Sequence, residues 1–159
     1  MKTTILKPFT FFIAFCLLTF YGSAQKLSVT DQKIKTEEDV ETDSWTAHLD
    51  QDVKDAQKSF SDFIETIFKL KVDKRGKTIL VVEKSKFIEI TPMRIDVRAV
   101  FQPESAGCAV SFVFSPGYDI YFSNLTYKEE YLKAQFFVNS YVRFHYTAYY
   151  NKVIEDIVC

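Results

Sequence analysis

The chain of 159 residues carries 20 Lys+Arg against 21 Asp+Glu, with 47% hydrophobic and 16% aromatic residues and only four Gly and four Pro. The near-neutral balance excludes a strongly basic nucleic-acid surface. The scarcity of Gly and Pro excludes long flexible linkers, and the apolar content suffices for the core of one ordinary domain.

Residues 1–24 read as an export signal. Lys2 and Lys7 precede the apolar run FTFFIAFCLLTFY (9–21), and Gly22, Ser23 and Ala24 supply the small residues of a cleavage site. The run is shorter than the roughly 20 residues of a membrane span. No second run of that kind follows, so no transmembrane segment is expected after signal removal. Loss of Lys2 and Lys7 leaves 18 basic against 21 acidic residues, a net charge of −3. Cys16 departs with the signal, and Phe15 before it is not the small residue of a lipobox. An oxidising compartment permits a Cys108–Cys159 disulfide. The simpler expectation is that Cys108 is a small buried hydrophobe and Cys159 incidental.

Residues 25–43 form an N-terminal extension or a first short strand through Leu27, Val29 and Ile34. Within them KTEEDVETD (35–43) reads as a solvated acidic turn, because its spacing lacks the Gly-centred pattern of a calcium loop. Residues 44–159 form a single domain. In SWTAHL (44–49), Trp45, Ala47 and Leu49 share one face of a strand. Asp50 or Asp52 then offers an N-cap. Val53, Ala56, Phe60, Phe63, Ile64, Ile67 and Phe68 recur at spacings of three and four, predicting an amphipathic helix over 52–70.

Asp73–Gly76 is a turn, and ILVV (79–82) a buried strand. Phe87, Ile88 and Ile90 form another short strand or continue it after a bend at 84–86, until Pro92. Ile95, Val97, Ala99 and Phe101 alternate with Asp96, Arg98 and Gln102, and Cys108, Val110, Phe112 and Phe114 with Ala109, Ser111 and Val113, so 94–102 and 108–114 read as a β-hairpin. Tyr118, Ile120 and Phe122 extend the sheet beyond a bulge. Thr126 and Glu129 have capping-box spacing for a long helix over 126–156. Tyr131, Ala134, Val138, Tyr141, His145 and Ala148 trace its main stripe. Phe136, Phe144 and Tyr150 fall off it.

The expected fold is therefore α+β, with order β-α-β-β-β-β-α. A single antiparallel sheet of four to five strands carries two helices on one face. Ile64, Ile67, Val81, Val97, Val110, Phe112 and Val138 are the expected core.

Catalytic signals are sparse. His48 and His145 are the only two histidines, too few for a zinc site alone, and the four glycines are scattered at 22, 76, 107 and 117 rather than forming a phosphate loop. No Gly-x-Ser-x-Gly elbow occurs. Cys108 with His145 would make a nucleophile pair, but Cys108 lies on an apolar strand face rather than in the electropositive setting a reactive thiol needs. Glu83, Glu89, Asp96 and Asp119 lie in or near strands, where outward acids are ordinary. Asn124-Leu125-Thr126 fits a glycosylation triplet. No cofactor or metal is expected.

KDAQKSFSDFI, KSKFIEITPMRIDVRAVF and GCAVSFVFSPGYDIYFS, followed by the long final helix, resemble a family of small secreted Bacteroidetes proteins of unknown function. The resemblance covers roughly 32–157 and rests on structural rather than catalytic motifs. Ser115-Pro116-Gly117-Tyr118 stands where many members have a Gly-Gly-Ala-type turn. The element order is also similar to the TATA-binding-protein-like topology, by analogy of topology alone, and implies nothing about nucleic acid.

The functional expectation is an exported, non-catalytic binding or assembly module of the cell envelope, in the periplasm or secreted. A carrier of a small apolar ligand and a hydrolase using sheet carboxylates such as Glu89 and Asp96 are the alternatives. A partner, an envelope protein or a second copy, would meet Phe136, Phe144 and Tyr150 on the last helix. For export, N-terminal sequencing of the secreted or periplasmic fraction should begin at Gln25. Recovery of intact Met1 in the cytosol would exclude processing.

Overall fold

Apolar core-facing residues at every second position build the middle of the sheet. In the computed structural model, which describes residues 28–158, two adjacent strands run Arg94–Glu104 (β5) and Gly107–Ser115 (β6). They pair antiparallel from Asp96↔Ser115 to Glu104↔Gly107. The tight turn brings Gly107 to φ +127°, where a Cβ would lie 1.9 Å from Leu49 O, so only glycine fits. The export signal at 1–24, residues 25–27 and Cys159 lie outside the described residues.

The remaining strands are Val29–Lys35 (β1), Glu41–Leu49 (β2), Asp73–Arg75 (β3) and Ile79–Lys86 (β4). The helices are Val53–Phe63 (α1) and Lys128–Val158 (α2). One antiparallel sheet of six strands results, ordered β1-β2-β6-β5-β4-β3. The sequence expectation of four to five strands is short by the edges. VTDQKIK at β1, read as an N-terminal extension or a first short strand, is a strand that pairs with β2 along all seven residues. Asp73–Arg75 is likewise a short strand rather than the turn its composition suggests.

Both helices cover the same face. Trp45, Leu49, Val82, Val97, Phe101, Val110, Phe112 and Phe114 point to it and join Phe60, Phe63, Val138 and Tyr141 in one core. Asp52 caps α1, accepting a hydrogen bond from Asp55 N at 2.9 Å. The first turns of α2 are tied to the sheet edge. Trp45 stacks on Tyr131 at 4.9 Å, its Nε1–H donates to Tyr131 O at 2.7 Å, and the Tyr131 hydroxyl donates to Asp31 at 2.7 Å. The turn before α2 is built by Ser123, whose hydroxyl accepts from Leu125 N and Thr126 N, in place of the expected Thr126–Glu129 box.

Three local expectations are corrected. Phe87–Ile90 is a turn, with Phe87 and Ile90 buried and Ile88 68% exposed. The bend near Lys84 is a bulge where β4 shifts register against β5, held by Lys84 N donating to Asp96 at 2.7 Å. Beyond β6 the chain makes a tight turn at Gly117↔Ile120, with Tyr118 almost wholly exposed instead of extending the sheet.

The helix predicted over 52–70 changes pitch. After Phe63 it continues as a π turn, Ile64–Phe68. The wider turn delays the inward stripe by one residue. Ile64 is fully buried, Ile67 is 55% exposed against expectation, and Phe68 takes its place against Phe63, Phe87 and Phe137. Urea unfolding should therefore separate two isosteric truncations. Ile64→Ala should cost about 2–5 kcal/mol, and Ile67→Ala should stay within about 0.5 kcal/mol of wild type.

Candidate functional site

Three places hold the groups most able to do chemistry or bind. The first is the helix-free face of the sheet. Alternation sends Val113, Arg98 and Val81 to this face, in register across β6, β5 and β4. The β1–β2 hairpin does not lie flat. Its tip curls over this face and brings Glu38 to Arg98, whose Nη1 donates to both carboxylate oxygens at 3.0 and 3.1 Å. Tyr121 OH donates to the same carboxylate at 3.3 Å. Arg75 pairs with Glu83 and reaches Glu37 at 3.9 Å. The stretch read as a solvated acidic turn is thus partly a clasp. Beneath it Ile34, Ile79, Val100, Val113 and Arg98 line a recess of ≈ 210 Å³.

The second place is a groove of ≈ 400 Å³ between α1 and the C-terminal half of α2. His145 sits in its wall, 3% exposed. His145 Nε2 lies 2.6 Å from Gln51 Oε1. Because an amide oxygen only accepts, Nε2 carries the proton and Nδ1 holds a lone pair. That Nδ1 and the Ser59 hydroxyl are buried with no hydrogen-bond partner among the described residues. Burial holds the His145 pKa below its usual value, against the opposing pull of Asp55 and Asp50, so the ring is neutral at neutral pH.

The third is the outer side of α2. Phe136 is 72% exposed and Tyr150 49% exposed, whereas Phe144 is half-buried with its ring on Phe63 at 5.5 Å. Tyr150 also stacks on Tyr146 at 6.1 Å. Phe136 and Tyr150 are joined by Leu132, Ile154 and Ile157, all exposed and all at spacings that fall on one helix stripe. The sequence signal for this was the excess of apolar residues beyond one face. The groove had no such signal, because it arises only where two helices cross.

The groups weighed as alternatives for catalysis are engaged elsewhere. Cys108 is fully buried and forms no disulfide among the described residues, and burial pushes its thiol up to about 11, which keeps it protonated and unreactive at neutral pH. Its strand position is on the core face, while His145 hydrogen-bonds Gln51. Of the sheet carboxylates, Asp96 braces the β4 bulge, Glu83 pairs with Arg75 and Glu89 sits in the turn after β4. His48 pairs with Glu104 at 3.0 Å on the open surface. Asn124 donates its side-chain amide to Asp31 at 2.6 Å. Among the described residues no group of three or more His, Cys, Asp or Glu is placed to hold a metal ion, and no helix is long and apolar enough to cross a membrane.

Comparison with known protein families, with curated proteins and with solved structures finds no match to this chain.

The clasp has a pH consequence. The hydrogen bond from Arg98 holds the Glu38 carboxyl down from 4.5 to about 2. A carboxyl depressed in the folded state stabilises it fully above the unfolded value and loses that contribution as pH falls towards the folded one. The stability advantage of wild type over Glu38→Gln should therefore be constant above about pH 5 and shrink towards pH 2, as read from urea midpoints across that range. A parallel decline of both proteins would exclude the clasp.

Proposed function

We propose that this chain is an exported, non-catalytic binding or assembly module of the cell envelope, and that the outer stripe of α2 is its contact with a partner protein. The observation that carries the proposal is the overhang of α2. At 1.5 Å per residue its 31 residues span about 46 Å, and its last buried residue is Tyr146. Beyond that point Tyr150, Ile154 and Ile157 stand at i, i+4 and i+7, with 49%, 57% and 78% exposure. This is the spacing by which one amphipathic helix lays anchors into a groove or against a second helix. Large apolar side chains at such spacing gain most when a partner removes them from water.

Binding fits the remaining chemistry better than catalysis does. The buried thiol is held protonated, and the buried histidine is neutral and bonded to an amide rather than to a nucleophile or a carboxylate. The resemblance to secreted Bacteroidetes proteins and the N-terminal charge–apolar–small order support the envelope location.

The test uses the double variant Ile154→Glu/Ile157→Glu, which alters exposed positions only and should leave the melting temperature unchanged. Photo-crosslinking from position 150 in intact envelopes should yield one discrete adduct in wild type and lose it in the variant. Light scattering on the purified protein separates a heterologous partner from a second copy. Wild-type dimers that become monomers in the variant would replace the partner protein by self-association. Identical adducts in both proteins would overturn the proposal.

A further inference from the structure

The recess under the β1–β2 tip is built from two cross-strand pairs, Arg98↔Val113 and Ile79↔Val100, with Ile34 beside them. Ile34, Ile79, Val100 and Arg98 are each only half-buried, so an incoming molecule can touch them. The charged side chains in the wall are already matched. Arg98 pairs with Glu38 at 3.0 Å, Lys35 with Asp39 at 2.9 Å, and Glu37 with Arg75 at 3.9 Å. The Thr36 hydroxyl, also in the wall, accepts from Val40 N at 3.3 Å. One donor is left over. Of the Arg98 nitrogens, Nη1 bonds Glu38 and Nε is shut off by burial. Nη2 bonds nothing among the described residues, and burial does not close it off. A guanidinium donor therefore stands unused in a residue that lines an apolar recess.

We infer that this recess binds a small uncharged molecule, an apolar body bearing one carbonyl oxygen that accepts from Arg98 Nη2. Each property of the recess selects one property of that ligand. A charged donor makes a stronger bond to a neutral acceptor than a neutral donor does. A purely apolar molecule would cover Nη2 and replace its water with nothing. An ionic ligand would lose hydration against aliphatic walls and find every counter-charge taken. Size narrows the class further. An apolar cavity of about 150 Å³ holds benzene, so ≈ 210 Å³ takes one ring and its oxygen. That volume falls short of the roughly 300 Å³ at which drug-sized sites begin. The clasp thereby becomes a selectivity device, because the Glu38 charge is what makes the recess neutral. Without it Arg98 would stand uncompensated and favour an anion.

The probe is cyclohexanone, titrated into the purified protein and followed by NMR of the backbone amides and the Arg98 side chain. Saturable shifts are expected at Val100, Val113 and Arg98. Cyclohexanecarboxylate and cyclohexylammonium carry the same ring with a charge, and each should bind at least about tenfold more weakly. Glu38→Gln should reverse the order, with the carboxylate binding more tightly than the ketone. A clasp with a purely structural role would not move this preference. Val100→Phe fills the recess from a half-buried position and should abolish the ketone shifts at Val113. Four results would each overturn the inference: no saturable shift up to about 10 mM ketone, wild type binding either ion as tightly as the ketone, Glu38→Gln still preferring the ketone, or Val100→Phe binding it unchanged. The recess lies on the sheet face away from α2. The Ile154→Glu/Ile157→Glu protein should therefore bind the ketone as wild type does, which keeps a failure of this site distinct from a failure of the helix contact.

Discussion

Everything in the fold leans on one network of aromatic rings where α1, α2 and β6 meet. Phe137 contacts Phe63, Phe68, Phe87, Phe112 and Phe114, with centroids 5.4–6.3 Å apart and mostly edge-to-face. Tyr141 sits one turn on, against Phe60, Phe63 and Phe112, and its buried hydroxyl donates to Ala56 O at 3.0 Å. Edge-to-face pairs each add about 0.5–1.5 kcal/mol beyond burial, and these pairs share members. Moving α1 therefore moves Tyr141, and moving Tyr141 opens Phe112. The angle between the helices is set by ring geometry, and that angle in turn shapes the groove at their far ends.

The opposite face of the sheet is organised by different physics. No helix covers it. Its buried groups include Thr46, Ser44 and Ser111, which satisfy one another and the backbone: Thr46 to Ser111 at 2.8 Å, and Ser44 to Gln32 O at 2.9 Å. At its centre lies Arg98, whose side chain is 15% exposed. Leaving such a charge uncompensated would cost several kcal/mol. The curl of the β1–β2 hairpin follows from this need, because Glu38 must cross the face to reach Arg98. Acidic residues that look like mere solvation in the sequence are placed by a cation 60 positions away.

How much was legible follows from how local each cause is. β5 and β6 were readable because their core-face residues, Ile95 to Phe101 and Cys108 to Phe114, are apolar at every second position. The stripe of α1 was readable as far as Ile64. The π turn was not, since IETIF carries nothing that distinguishes i→i+5 from i→i+4 bonding, and the misplacement of Ile67 follows directly. β1 was legible only as one of two readings, an extension or a short strand, because an edge strand with one partner buries little, and VTDQKIK has only two apolar residues. His145 was legible as a core residue on the main stripe. Its unpartnered nitrogen was not, because that depends on Gln51, 94 positions earlier, arriving at Nε2.

The last helix connects these levels. Its apolar residues are distributed nearly all round, which is unusual for a helix packed on one sheet face. Their separation into sets explains the pattern. Tyr131, Ala134, Val138, Tyr141, Val142 and His145 answer to the sheet and α1. Leu132, Phe136, Ile154 and Ile157 stay exposed on the outer stripe, with Tyr150 about half exposed and stacked on Tyr146. A helix needing only to close this core would end near Tyr146. Twelve further residues carry three more large aliphatic or aromatic groups on the outer stripe, at a solvation cost that folding alone does not recover. The same extension supplies Tyr149, Lys152 and Asp156 to the groove between the helices. The ring network around Phe137 and Tyr141 packs the middle of α2 against the sheet and α1, ahead of that extension.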